Sequence, residues 1–387
     1  MILISILFYS YIICILAFVF GFNKVAEFNT KVASEITTFS VIIPFRNEAN
    51  NLPKLLASIN ELSYPKELVE FIFVDDNSSD NSVEIVEKFI ACQVERSRNL
   101  QPLYSSQRDN FILIKNKRTS NSPKKDAISI AIKNVKNNWI VTTDADCMVP
   151  KNWLKRIDAF IQKHNCNMIV APVSYKSNTT FLEQFQRLDF MSLQATTIAS
   201  FGLKTPFLAN GANFIYRKNI FENVDGFKGN AEIASGDDVF LLEKFLKLDF
   251  KKVRYLKSKD AIVKTFPVNS FSKLIQQRVR WASKTSNYTL MAGKIIGILV
   301  LTGNSILVIS PLFVFIKIMT FKTFVSFFLL KLFIDYLLLE KMAIFEDKKI
   351  DFTTYLKSSI LYPYFTLLIF ITSLFKNFQW KGRSFKK

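Results

Sequence analysis

The sequence predicts an α/β domain built on a parallel sheet and held at a membrane by hydrophobic helices. Two observations carry that prediction. Between Phe39 and Tyr255 short runs of strand-forming residues alternate with helix-like stretches, the pattern of strands joined by crossover helices. Outside that region lie apolar runs close to the ~20 residues needed to cross a bilayer.

In chain order, Ile2–Phe20 is uncharged and apolar, and Lys24 is the first charged residue. A cleaved signal peptide would show a basic start, a shorter apolar core and a small-residue cleavage site, so residues 1–22 are expected to remain as a transmembrane anchor. Phe39–Pro44, Leu68–Val74, Phe111–Lys115 and Trp139–Thr143 are expected as buried strands, with helices over Asn51–Asn60, Ser79–Ile90 and Lys124–Val135. A sheet of this kind is covered on both faces and takes its ligands at the carboxyl ends of its strands. The α/β domain is expected over 36–290 and includes an amphipathic interface helix near 270–284. A C-terminal transmembrane region follows over 294–376, with apolar runs at Ile295–Ile316, Phe321–Leu339 and Ile360–Leu374. Lys331 and Asp335 share a helix face in the second of these runs and can neutralise each other. With four spans in all, the basic tail Lys376, Lys381, Arg383, Lys386 and Lys387 lands on the side opposite the α/β domain. That conflicts with the cytoplasmic bias of Lys and Arg, so either one C-terminal run lies in the interface or the bias fails here.

The chain carries 51 Lys+Arg against 32 Asp+Glu, a net charge of +19. Such an excess suits nucleic acid, anionic headgroups or phosphorylated substrates. With hydrophobic spans present, a cytoplasmic membrane face accounts for it, and membrane lipids rather than nucleic acid are the expected partner. Only 10 residues of 387 are Gly, against a usual share of roughly 7%, which excludes collagen-like repeats and Gly-rich linkers. Cys14, Cys92, Cys147 and Cys166 form no C-x-x-C pair and His164 is the sole histidine. Disulfide scaffolds, thiolate zinc sites and His-centred triads are therefore not expected. His164, in a polar run, reads as a solvated loop residue.

Three acidic clusters fall at the ends of expected strands or starts of expected helices. Asp75-Asp76-Asn77-Ser78-Ser79-Asp80 follows a buried strand; it reads equally as a helix-capping turn or as carboxylates that accept hydrogen bonds from a nucleobase or ribose. Asp144-Ala145-Asp146 follows another, and two carboxylates one residue apart can converge on a hard divalent cation such as Mg2+ or Mn2+, which then bridges a diphosphate. Ser235-Gly236-Asp237-Asp238 opens an apolar helical run, where carboxylates also suit the helix dipole. Further on, Gln277, Arg280 and Trp281 share one face of the amphipathic stretch. They offer an amide, a guanidinium for phosphate oxygens and an indole for the apolar side of a sugar, or alternatively the snorkelling Arg and interfacial Trp of a membrane-surface helix.

The ordered set I-I-P-F-R-N-E (Ile42–Glu48), V-D-D-N-S-S-D (Val74–Asp80), D-A-D (Asp144–Asp146), G-D-D (Gly236–Asp238) and Q-x-x-R-W (Gln277–Trp281) resembles the membrane-associated family 2 glycosyltransferases. Within them it is most similar to the branch of cellulose, hyaluronan and poly-N-acetylglucosamine synthases, over roughly Phe39 to Trp281. The resemblance implies a Rossmann-like GT-A fold, a nucleotide-sugar donor with Mg2+ or Mn2+, and inversion at the anomeric carbon. It implies that Pro44 to Glu48, Arg46 included, and Asp75 with Asp76 form the nucleoside pocket. It implies Asp144 and Asp146 at the metal and diphosphate, and Asp238 as catalytic base beside Asp237. It implies Gln277, Arg280 and Trp281 as the motif that closes over the diphosphate and stacks the acceptor. The family's G-K-x-x-A-L element reads Pro123-Lys124-Lys125-Asp126-Ala127-Ile128 here. Lys124 holds the donor-binding lysine position, while Pro in place of Gly removes an N–H and alters the loop.

The implied reaction is a single displacement at the cytoplasmic face of the inner (plasma) membrane by a multi-pass protein. Asp238 takes the proton of a hydroxyl on a growing glycan or lipid-linked acceptor. The departing diphosphate is stabilised by the cation and Arg280. Processive extension and single addition are both open. From another class, the chain could be a non-catalytic membrane scaffold or transport component with a degenerate transferase domain, against which the intact acidic motifs count. A nucleotidyltransferase of related fold would leave Q-x-x-R-W unexplained.

Overall fold

The computed structural model describes residues 1–30, 34–100, 110–176, 180–233, 235–284, 287–375, 378–380 and 383–385. In chain order they form α1 (Ile2–Lys24), β1 (Phe39–Phe45), α2 (Leu52–Asn60), β2 (Val69–Asp75), α3 (Ser82–Leu100), β3 (Phe111–Lys115), α4 (Pro123–Asn134), β4 (Trp139–Thr142), β5 (Cys147–Met148) and α5 (Trp153–Lys163). Then come β6 (Met168–Val170), β7 (Val173–Tyr175), α6 (Phe181–Gly202), β8 (Phe214–Arg217), α7 (Lys218–Asn223), α8 (Asp237–Asp249), β9 (Val253–Tyr255) and β10 (Val263–Thr265). The chain ends in α9 (Phe271–Ser283), α10 (Met291–Phe315), α11 (Phe321–Phe345), α12 (Phe352–Phe375) and the hairpin β11 (Phe378–Trp380) and β12 (Arg383–Phe385). Two compact units result: an α/β unit of residues 27–173 and 209–266, and a helical unit of residues 1–26, 174–208 and 267–387.

The α/β unit holds a seven-stranded sheet in the order β3-β2-β1-β4-β8-β6-β9. β1 to β4 are parallel, β8 runs antiparallel to β4 and β6, and β6 is parallel to β9. The four expected strands are thus parallel, and the sheet is mixed only through β8, β6 and β9, which were not among the strands expected. A strand buried on both faces has the same run of apolar side chains whichever way it points, so periodicity carries no direction. Chain order reverses between β1 and β4, and a crevice opens at the carboxyl ends of strands at such a switch point. Pro44 lies inside β1, a central strand, where a missing N–H is normally excluded. β4 stops pairing with β1 at Ile42↔Thr142, and Thr143 N–H donates to Ile42 O at 3.2 Å. Pro44, two residues on, faces the same side beyond the end of that ladder, so no donor is missed.

His164 lies in a bend, as its polar neighbours suggest, but is half-buried rather than fully solvated. It caps α5 and packs its ring at 4.4 Å from Phe160 and 5.8 Å from Phe28. Burial, with Arg254 and Lys163 nearby, holds its imidazole below the usual histidine value.

In the helical unit, α1, α10 and α12 are long and apolar enough to cross a membrane. α11 is as long, but Lys322, Lys331, Asp335, Glu340 and Lys341 dilute its apolar length, so among the described residues three of the four expected runs meet the length and apolarity of a span. Lys331 Nζ meets Asp335 Oδ2 at 2.5 Å, and the Tyr11 hydroxyl donates to Asp335 Oδ1 at 2.5 Å. The pair thereby ties α11 to α1. Residues 174–208 and 267–290 pack in one compact unit with the hydrophobic helices. The reason is apolar: Leu274 and Val279 of α9 form one buried cluster with Phe185 of α6 and Phe365 and Ile369 of α12.

α1 and α6 meet backbone to backbone. A Cβ on Gly202 would sit 1.9 Å from the Gly21 carbonyl oxygen, whereas one on Gly297 would meet nothing within 4 Å. Close approach through small residues is how helices associate where lipid removes the hydrophobic drive. Gly202→Ala should therefore destabilise the protein by about 1–3 kcal/mol, the usual scale of overpacking. Gly297→Ala should cost nothing. Equal thermal midpoints for the two variants in detergent would contradict the packing argument.

Candidate active site

β1 and β2 end side by side, with Phe45 opposite Asp75, and the turns that follow them are fastened together. Arg46 Nη1 donates to the carbonyl oxygens of Asp76 and Asn77 at 2.7 and 2.6 Å. Ser79 N–H donates to Asn47 Oδ1 at 2.8 Å, and Asn47 N–H to Ser78 Oγ at 3.1 Å. Both Asn47 (φ 51°) and Asn77 (φ 61°) take the left-handed conformation that asparagine tolerates best after glycine. Asp75 Oδ1 accepts from Ser78 N–H at 2.9 Å, and Glu48 Oε2 accepts from Asn51 Nδ2 at 2.7 Å. Asp76 accepts from Asn116 Nδ2 at 2.9 Å and from Arg118 through Nε (3.2 Å) and Nη2 (3.3 Å). Asn116 and Arg118 follow β3, so three successive strand ends contribute to one rigid polar wall.

The second part of the site lies at the end of β4. Cys147 N–H donates to Asp144 O at 3.1 Å, closing the turn that carries Asp144 and Asp146 on either side of buried Ala145. β5 then pairs with β10, and the Thr265 hydroxyl donates to Asp146 O at 3.4 Å. Lys124, in the first turn of α4, places Nζ 2.7 Å from Asp144 Oδ1 and 3.2 Å from Asp237 Oδ2. Burial works against its ammonium, but Asp144, Asp237 and Asp238 outweigh it and hold the Lys124 pKa above the ordinary lysine value. Burial, with Asp146 and Asp144 adding to it, pushes the Cys147 thiol up, so it stays protonated.

Asp237 and Asp238 open α8 behind Gly236, whose φ of 83° requires glycine's freedom. Asp238 Oδ2 accepts from Gly211 N–H at 3.3 Å and Oδ1 from Val239 N–H at 2.8 Å. Gly211 has to be small: a Cβ there would lie 2.8 Å from Asp237 Oδ2 and 3.0 Å from Lys124 Nζ. Lys125 is buried and donates to the carbonyls of Asn230 and Ile233 at 2.7 and 3.0 Å, which ties the segment before α8 to α4. The result is four charged groups, Lys124, Asp144, Asp237 and Asp238, gathered where β4, α4 and α8 converge.

Among the described residues no three His, Cys, Asp or Glu side chains converge as a ligand set. A divalent cation nevertheless fits the chemistry at the D-A-D turn. Its donors are hard carboxylate oxygens, and the Lys124 ammonium already stands against Asp144 as a positive charge.

In the helical unit the Ser270 hydroxyl caps α9 by accepting from Lys273 N–H at 3.3 Å. Gln277, Arg280 and Trp281 are half-buried on this helix. Arg278, not singled out from the sequence, is the residue that links Gln277 and Trp281. Its Nε donates to Asp189 Oδ2 at 2.6 Å, its Nη1 donates to Gln277 Oε1, and its guanidinium lies 4.2 Å from the Trp281 ring centroid.

Residues 139–375, more than half of the chain, match Glycosyl transferase family group 2, and residues 40–225 match Glycosyl transferase family 2. The chain belongs to glycosyl transferase family group 2. Among curated relatives, the glycosyltransferase AglE of Haloferax volcanii is 23% identical over 251 residues, 64% of this chain and 73% of AglE. The poly(ribitol-phosphate) β-N-acetylglucosaminyltransferase TarS of Staphylococcus aureus is 30% identical over 132 residues, 34% of this chain but 20% of TarS. The mannosyltransferase PcManGT from Pyrobaculum calidifontis, solved with GDP-Man and Mn2+, superposes with a TM-score of 0.56 at 14% identity, over 95% of this chain and 98% of that one. That likeness shows the fold, and the α/β unit of this glycosyltransferase is GT-A.

Sequence reasoning missed Asn116, Arg118, Lys125, Gly211, Asp189 and Arg278. For the first two a signal existed: the polar run after β3 stands at a strand's carboxyl end, where ligands are expected. Lys125 and Gly211 act through contacts with residues far away in the chain, which no local pattern records. Asp75 and Asp76, expected at the nucleoside, are buried, and Asp75 serves as the cap of its turn.

Proposed function

We propose that this glycosyltransferase moves a sugar from a nucleotide-diphosphate donor to a glycan or lipid-linked acceptor, with inversion, at the cytoplasmic face of the plasma membrane. The observation that carries this reading is the convergence of Lys124, Asp144, Asp237 and Asp238 at the carboxyl end of β4. A scaffold with a degenerate transferase domain would have no reason to keep a half-buried lysine among three carboxylates.

Arg46, Asn116 and Arg118 support a pre-formed wall at the strand ends for the nucleoside, with Pro44, Glu48, Asp75 and Asp76 shaping it. Asp144 and Asp146 would hold Mg2+ or Mn2+. When bound, that cation supplies Lewis-acid stabilisation of the leaving diphosphate. Lys124, charged at all working pH values, adds a second positive group for the phosphates. Asp238 is assigned as general base, its carboxylate aimed by the Gly211 and Val239 N–H groups. Acceptor handling is assigned to Gln277, Arg280 and Trp281. Three spans also remove the conflict in charge topology. With α1, α10 and α12 crossing, residues 25–290 and the basic tail beyond Phe375 share one side, in keeping with the positive-inside bias.

The test is product analysis by mass spectrometry on detergent-solubilised protein given a panel of sugar nucleotides and a membrane lipid extract, with nucleotide release followed in parallel. Wild type should release nucleotide and form a glycosylated product together. Trp281→Ala should keep slow donor hydrolysis while transfer collapses, because the D-A-D turn and Asp238 are untouched. No product with any donor would sink the reading, and normal coupling in Trp281→Ala would remove the acceptor role.

A further inference from the structure

α9 is fastened to the helical unit by an ion pair that the Q-x-x-R-W motif does not contain. Arg278 and Asp189 are 5% and 6% exposed. An arginine present only to neutralise a buried carboxylate would commit both arms of its fork to it, since the bidentate geometry is the stronger one. Arg278 does otherwise. It gives Nε to Asp189, gives Nη1 to Gln277 Oε1, lays its plane 4.2 Å from the Trp281 centroid, and among the described residues its buried Nη2 meets no hydrogen-bond acceptor. The same clamp is closed from other sides. Phe190, next to Asp189 on α6, lies 6.2 Å from the Trp281 ring. The Tyr175 hydroxyl, whose backbone carbonyl accepts from Lys348 Nζ at 2.9 Å, stands 3.5 Å from Gln277 Oε1.

We propose that Asp189, acting through Arg278, is a positioning residue that sets the orientation of Gln277 and Trp281 for acceptor use. The inference rests on the acceptor role given to those two residues above. The amide of Gln277 is turned by its bond to Arg278 so that its nitrogen, not its oxygen, is left to face a ligand. The indole is backed on one face by a guanidinium held in place by a buried carboxylate, which leaves its other surface as the platform. A displacement of about 1 Å in such a support can cost on the order of 10²-fold in rate.

The test uses the full chain in detergent with fluorotryptophan at its four tryptophans, 139, 153, 281 and 380, the Trp281 fluorine line being assigned with Trp281→Phe. Asp189→Asn and Arg278→Lys are compared with wild type by fluorine NMR, thermal midpoint, donor KM, and sugar transferred per nucleotide released. Lysine keeps a charge for Asp189 but cannot bridge to the amide and the indole at once. Both variants should move the Trp281 line, leave those of Trp139 and Trp153 in place, and lower transfer per nucleotide released by about tenfold or more at unchanged donor KM. If Arg278→Lys restores the native line, stability and coupling while Asp189→Asn unfolds, the pair is purely structural and the proposal fails. An unmoved Trp281 line in both folded variants overturns it as well. Normal coupling in Trp281→Ala would instead overturn the acceptor reading, and a moved line would then still report the positioning.

Discussion

Transfer should be abolished to the limit of detection in Asp144→Asn/Asp146→Asn, a loss of about 10³-fold or more if several kcal/mol of cation stabilisation disappear. The amides keep the size of the side chains, so the turn between β4 and β5, closed by the Cys147 N–H bond to Asp144 O, should survive. What changes is charge. Lys124 loses its ionic contact with Asp144 and keeps the one with Asp237, and a cation held as proposed would lose both carboxylates. The wild type should be silenced by EDTA and restored by Mg2+ or Mn2+, and the double variant should respond to neither. Mn2+ titration followed by paramagnetic resonance should show a bound population in the wild type that the variant lacks. Full activity of the variant, independent of added metal, would show that the D-A-D turn holds no cation.

Asp238→Asn should lower turnover by about 10²–10⁴-fold, the scale of general-base catalysis, with donor affinity nearly unchanged. Asparagine can still accept from the Gly211 N–H that now meets Asp238 Oδ2 at 3.3 Å, so the start of α8 should remain in place. It cannot take a proton. Asp237 faces Lys124 at 3.2 Å, and Asp237→Asn should weaken donor binding through that lysine more than it slows the chemical step. Measuring donor KM and turnover for both variants separates the roles. A larger turnover loss at Asp237, with Asp238→Asn active, would exchange them.

β1 to β4, α2 and α4 were readable within a few residues from the chain, because each buried strand is a short apolar run punctuated by polar turns, whereas α3 runs ten residues past its expected end. The D-A-D and G-D-D clusters were readable for a related reason: in a sheet of this kind chemistry gathers at strand ends, so acidic residues directly after a strand are marked by position. β8, which makes the sheet mixed, was not read as a strand, and a doubly covered strand shows the same face pattern whichever way it points. The fate of residues 174–208 and 267–290 also lay beyond local pattern. Phe185, Leu274 and Phe365 are apolar in any reading, and only their mutual packing assigns α6 and α9 to the helical unit. The sequence by itself determined the family motifs, the α/β core and the apolar helices, since these follow from residue type and spacing. The tertiary structure decided that Lys124 sits among Asp144, Asp237 and Asp238, that Arg118 grips Asp76, and that Asp189 holds Arg278. Each of those contacts joins groups distant in the chain, and pairing across such distances is set by packing, which one-dimensional periodicity does not encode.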